Sequence, residues 1–295
     1  METYPSGTIR IIAPFAAGGI SDATARVAGS CLEEELDGTF IVENQDGGGG
    51  AIGMTQVAQA KPDGSTLAVS SMSTAALVPM TTDGAEFSGD SFTPVRGITL
   101  APSVLVVKGS SSWQDADAVM AAAEAEDGKF SVAMPGARGI FALTMDAITD
   151  AGGPEFTTVP FESNDQSAAA VLGGNADSAY LSTSPTLLEQ LESGELRAVA
   201  TGATEPVDFL EGVPTFAEVG YDDLPGSMVN VALLGPAGLD AGIRDMLEGA
   251  LDDCIASGAA DVLGEEFVRD DDAGHEVLGQ EFETAESQWA EALSR

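Results

Sequence analysis

Residues 9–27 read IRIIAPFAAGGISDATARV. A β-branched run (Ile9, Ile11, Ile12) stops at Pro14, passes through a loop containing Phe15, Ala16, Ala17, Gly18 and Gly19, and restarts at Ser21 and Asp22 as an Ala-rich helix. The stretch reads as strand, loop, helix. Glycines let the backbone turn sharply and approach a ligand closely. The first helical turn offers unpaired N–H groups at the positive end of its dipole, so the junction is suited to an anion. Ser21 or Asp22 is the expected N-cap. If Asp22 caps, it occupies some of those donors, and an anion must sit beside it, over the glycine loop. The plainer reading is that every parallel-sheet protein needs glycine in a βα turn, and this loop alone does not decide between the two.

Outward from this stretch, the helix is expected to end near Asp37 and Gly38, with a strand at 39–42, a glycine-rich loop at 43–50 and a helix at 52–60. Gly48, Gly50 and Gly53 fit the dinucleotide pattern GxGxxG. The pattern falls on the second strand–helix unit, however, and the required acid about 20 residues on is missing. An NAD(P)-dependent enzyme built on 48–53 is therefore carried only as an alternative. A turn at 62–64 leads to a strand at 66–70 that ends in Ser70, Ser71, Ser73 and Thr74. Their hydroxyls either bond a polar ligand or, at Ser73 or Thr74, cap the next helix.

Residues 79–97 read as a looser region. Strands are then expected at 104–107, 130–133, 156–159, 178–181, 196–200 and 228–234, with helices at 113–125, 140–149, 166–172 and 185–191 and helix from 240 to the end. Such alternation predicts an α/β protein with mostly parallel sheets flanked by helices. The expected domains are 1–103 with 226–295, and 104–225.

Hydrophobic residues make up 44% of the 295, which argues for a folded chain despite 48 acidic against 11 basic side chains, a formal charge of −37. Nucleic acid and anionic membranes are repelled by such a surface. Adaptation to high salt is the favoured reading, and a polycation partner the other. The N-terminus carries no charged segment followed by an apolar one, so either the protein is intracellular or a signal peptide has been removed; METYPSG reads as a start codon on a trimmed N-terminus, and the extracytoplasmic reading with the signal removed is the favoured one. Cys31 and Cys254 each fall on an apolar helix face and are expected to be buried; a bridge between them, which needs an oxidising compartment, stays open. His275, in the acidic C-terminal region, is read as exposed, and the sequence has no GxSxG, SxxK or HExxH motif. The reading is no enzyme, no cofactor and no metal.

IRIIAPFAAGGISDATAR resembles the opening of the substrate-binding proteins of tripartite tricarboxylate transporters, the Bug-type receptors. VENQDGGGGAIG with AKPDGSTLAVSS, ESGELRAVA, GVPTFAEVGY and VALLGPAGL resemble later landmarks of that family in the same order. The resemblance implies a periplasmic-binding-protein-like fold of two α/β domains, closing a cleft on a small organic acid without breaking a bond. Carried over, it implies ligand contacts from Phe15, Ala16, Ala17, Gly18, Gly19, Ser21, Asp22, Ser71, Ser73 and Thr74. From the second domain it implies Gly136, Ala137, Arg138, Gly139, Phe161 and Asn164, and it makes the glycines at 47–50 structural. The implied partners are a di- or tricarboxylate, acidic amino acid or aromatic acid and the membrane permease subunits, with the receptor a monomer; a sensor feeding a signalling partner is the remaining alternative. Two segments depart from the family: 134–139 reads MPGARG, and ESNDQS follows Phe161 where the family commonly has Lys-Gly. Arg138 is either a bidentate carboxylate clamp or a surface arginine paired with an acid.

Overall fold

The computed structural model describes residues 4–294 apart from Gly18, Asp83, Asp127, Arg138, Asp223, Pro225, Asp270 and Asp272. Two compact units emerge, Met1–Leu100 with Asn230–Gln288, and Ala101–Val229 with Trp289–Arg295.

In the first unit, β1 (Thr8–Ala13) leads into α1 (Ile20–Leu36), β2 (Thr39–Asn44), α2 (Ala51–Ala58), β3 (Thr66–Ser71) and α3 (Met72–Thr81). β1 pairs in parallel with β2 on one side and with β3 on the other, so the chain reverses direction across the sheet at the β1/β3 boundary. The sheet continues through the C-terminal part of β9 (Met228–Pro236), antiparallel to β3, to the first half of β4 (Phe92–Lys108). Ile12, Met54, Val57, Met72, Leu234, Leu278 and Phe282 form the core on one face. Against the other, α1 packs beside α8 (Ala241–Ala256), and the two are joined by a disulfide between Cys31 and Cys254, Cα–Cα 5.7 Å. The sequence left that bridge open because nothing in it says that α8 lies on α1.

In the second unit the second half of β4 pairs antiparallel with both β7 (Ser178–Ser182) and β8 (Leu196–Thr201). Beyond β7 lie β5 (Ser131–Pro135) and β6 (Thr157–Phe161), with β5 parallel to both neighbours. The helices α4 (Ala116–Ala125), α5 (Ile140–Asp150), α6 (Asn164–Leu172) and α7 (Pro185–Glu192) connect them. Leu105, Phe130, Met134, Ile148 and Tyr180 fill one side of this sheet, and Val104, Val106, Val171 and Leu181 the other.

Several expectations are corrected. Residues 92–97 belong to the 17-residue β4 rather than to a loop; Pro94 and Gly97 read as punctuation, yet Phe92, Val95 and Ile98 are buried against the sheet. The region after 240 is not one helix: α8 stops at Ala256, two short 3₁₀ turns lie in the stretch that follows, and α9 (His275–Leu293) begins afresh. Two buried arginines pin that stretch. Arg96 donates to the carbonyls of Gly97, Arg269 and Asp271 and to the Asp252 carboxylate, while Arg269 bonds Asp271 and Glu281. The Arg269 hydrogen bond holds the Asp271 carboxyl below the usual carboxylate range. His275 is half-buried rather than exposed, with Nδ1 2.8 Å from Glu248 Oε2. Among the described residues no helix is long and apolar enough to cross a membrane.

Candidate functional site

Ligands of open α/β sheets bind at the carboxyl ends of strands where the chain order reverses. In the first unit that place is the end of β1 and β3, which carries 14–19 and 71–74. Of the predicted residues, Phe15, Ala16, Ala17 and Gly19 follow the end of β1, and Ser71, Ser73 and Thr74 stand at the end of β3 and the start of α3; Gly18 lies outside the described residues. Gly50 brings the second loop to the same place, since a Cβ on it would stand 2.8 Å from Thr74 Cγ2 and 3.3 Å from Phe15 Cζ. Gly47, Gly48, Gly49 and Gly50 all have positive φ, which glycine alone adopts without strain. Gly50 is thus packed closely against the neighbouring loops, whereas Gly48 and Gly49 are exposed.

The caps differ from expectation. α1 starts at Ile20, one residue before the predicted caps, so its N-cap is Gly19 and its first turn has no side-chain cap. Ser71, rather than Ser73 or Thr74, caps α3: its Oγ accepts from the Thr74 N–H at 3.2 Å and lies 2.7 Å from Thr74 Oγ1 and 3.1 Å from Ser73 Oγ. Ser71 and Thr74 are buried and satisfy one another, whereas Ser73 is half-exposed. Asp115, Ser163, Ser184 and Asp240 cap α4, α6, α7 and α8 through their side chains. α2 also begins on a glycine, but the carbonyls of Gly47 and Gly48 take its first amides. α5 follows β5 as α1 follows β1, and its N-cap Gly139, at φ +154°, again has no side-chain cap.

Asp22, buried inside the first turn of α1, is held by other groups. Arg26 lies 2.9 Å from its Oδ1 and donates to Oδ2 at 3.2 Å, and Asn44 Nδ2 donates to Oδ1 at 3.0 Å. The same Asn44 amide donates to the Phe15 carbonyl at 3.1 Å. Sequence reasoning missed Asn44; its signal is its place as the last residue of β2, paired with Ala13 at the end of β1.

In the second unit, β5 and β6 run in register with Pro135 opposite Phe161, and the Gly136 N–H donates to the Phe161 carbonyl at 2.9 Å. Gly136 and Ala137 are exposed, Gly139 and Phe161 half-buried; Arg138 lies outside the described residues. Asn164 opens α6 and donates through Nδ2 to Ser182 Oγ at 2.7 Å, which adds the end of β7 to this group. Asp245, Glu248 and His275 bring one donor atom each within 4.8 Å of one another, and Arg244 already pairs with Asp245 at 2.7 Å.

The profile described as tripartite tricarboxylate transporter family receptor matches residues 24–270. Protein BugT of Bordetella pertussis is 29% identical over 260 residues, 88% of this chain and 79% of its own length. An Agrobacterium vitis protein encoded in the ttuE-ttuC' intergenic region is 29% identical over 250 residues, 85% of this chain and 72% of its own. A structure described as a periplasmic transporter superposes with a TM-score of 0.86 at 28% identity, covering 99% of this chain and 97% of that one. MatC from Rhodopseudomonas palustris, solved with bound malate, gives 0.82 at 25% identity over 98% and 99% of the two chains.

Proposed function

The chain belongs to the tripartite tricarboxylate transporter receptor family, and on that premise we propose that it captures a small organic carboxylate outside the cytoplasm and hands it to the membrane permease of such a transporter. Members of this family are periplasmic solute receptors and not enzymes, which leaves the dinucleotide-enzyme alternative without support. The supporting observation is the uncapped start of α1. Ile20, Ser21 and Asp22 carry the first amides of a 17-residue helix, whose positive dipole end lies beside the exposed small residues Ala16, Ala17 and Gly19. A carboxylate is the ligand such an end favours. MatC, which binds malate, makes a dicarboxylate the first candidate. On this reading Ser73 and the loop at 136–139 add further contacts, Arg138 clamps a ligand carboxylate, and the receptor works as a monomer.

The test is thermal unfolding in high salt with malate, adipate, citrate, aspartate and benzoate. At least one is expected to raise the melting temperature in proportion to the logarithm of its concentration, and a flat response to all five contradicts the reading. For the member that binds, Arg138→Ala is expected to lose at least tenfold in affinity, roughly 1.4 kcal/mol, with Arg197→Ala as the control that stays near wild type. Equal, small effects return Arg138 to the surface class.

A further inference from the structure

A buried carboxylate in the turn that is to receive an anion is an electrostatic contradiction, and the neighbouring side chains resolve it. Asp22 is 6% exposed and lies in the first turn of α1, where its charge opposes any ligand carboxylate brought to the same helix end. Arg26, one turn on, contacts both carboxylate oxygens, and its Nη2 also donates to Asn44 Oδ1 at 3.3 Å. Asn44 completes the ring with its two donations, to Asp22 and to the Phe15 carbonyl. The Asn44 orientation follows from its partners, an oxygen facing the guanidinium and a nitrogen facing two acceptors.

We propose that Arg26 is a specificity-determining residue: by neutralising Asp22 it sets the charge of the β1–α1 loop to zero and so admits anionic ligands, dianions above all, without touching them. The proposal rests on the carboxylate-receptor reading. Arg26→Gln removes the cation paired with Asp22, and Asp22→Asn with Arg26→Gln removes both charges together.

Calorimetric titration at fixed high salt tests it, with malate and benzoate as probes and citrate in place of malate should malate not bind. Arg26→Gln is expected to weaken the di- or trianion by roughly tenfold or more and benzoate by a smaller factor. Arg26→Lys keeps most of the affinity, and the double variant returns to within about threefold of wild type, which a purely structural role for the ring would not allow. Should Arg26→Gln fail to fold, Asp22→Asn alone decides: it is expected to bind the di- or trianion at least as tightly as wild type, and weaker binding overturns the proposal. Wild-type affinity in Arg26→Gln, or a double variant no better than the single one, overturns it as well. Absence of binding by wild type to every probe overturns the carboxylate reading itself, whereas wild-type binding with an indifferent Arg26→Gln overturns only the role of Arg26.

Discussion

Replacing Cys31 and Cys254 together by alanine is expected to lower the melting temperature of the first unit by roughly 10 °C, the equivalent of about 3 to 5 kcal/mol. The bridge closes a loop across 223 residues of sequence, joining the first helix of the chain to one that follows the Ala101–Val229 segment of the second unit. Cross-links over such long separations remove the most freedom from the unfolded chain, on the order of 5 kcal/mol in the chain-entropy description, from which native-state adjustments subtract. Alanine is the right replacement because both cysteines are about 5% exposed or less, and a serine hydroxyl there would add the cost of a buried polar group. Differential scanning calorimetry of the non-reduced protein checks the result. A shift under about 2 °C would mean that the bridge contributes nothing to the native protein.

Dilution from 2 M to 0.1 M KCl is the second large effect, expected to lower the melting temperature on the order of 10 °C as the screening length grows from about 2 Å to about 10 Å. Forty-eight acidic side chains face eleven basic ones. Five of the described arginines are already engaged: Arg96 and Arg269 are buried on their carboxylates, and Arg10, Arg26 and Arg244 are paired with Glu43, Asp22 and Asp245. Acidic side chains outnumber basic ones more than fourfold, and the repulsion among them grows as salt is withdrawn. Desolvation and the neighbouring Asp150 raise the Asp146 carboxyl, and desolvation with Asp90 and Glu283 raises Glu286. A carboxyl raised above its unfolded value adds stability below its unfolded pKa and loses it as pH rises through the folded one. Near neutral pH these groups have lost that contribution, so mild acidification is expected to stabilise the low-salt protein. A melting temperature independent of KCl would sink the high-salt reading and bring the polycation partner forward.

The sequence carried the fold where local signals and tertiary structure agree. The β-branched run at Ile9, Ile11 and Ile12, the turn at Pro62 to Gly64 and the apolar 66–71 strand all formed as their chemistry suggests. β4 was illegible at its start because Thr93, Pro94 and Gly97 lack strand propensity, and pairing within the sheet overrides it. The helix starts slipped by one to three residues for a related reason: Gly19 and Ser71 adopt the extended cap conformation at the strand ends, so the hydroxyls and carboxylate that follow them fall inside the helices. The i, i+4 pair of Asp22 and Arg26 was missed, although that spacing sets the two side chains on one helix face. Their third member, Asn44, depends on the parallel register that sets Asn44 beside Ala13, which no spacing along the chain reveals.

The central claim is that a carboxylate is taken at the uncapped start of α1 and the adjoining strand ends. Amide chemical-shift mapping of the ¹⁵N-labelled protein during titration with malate, or with whichever of the five acids binds, tests it most directly. The largest changes are expected among residues 16–22, Ser73 and 136–139. Unchanged amides there, with shifts concentrated at other positions such as Lys108 and Glu195, would contradict it.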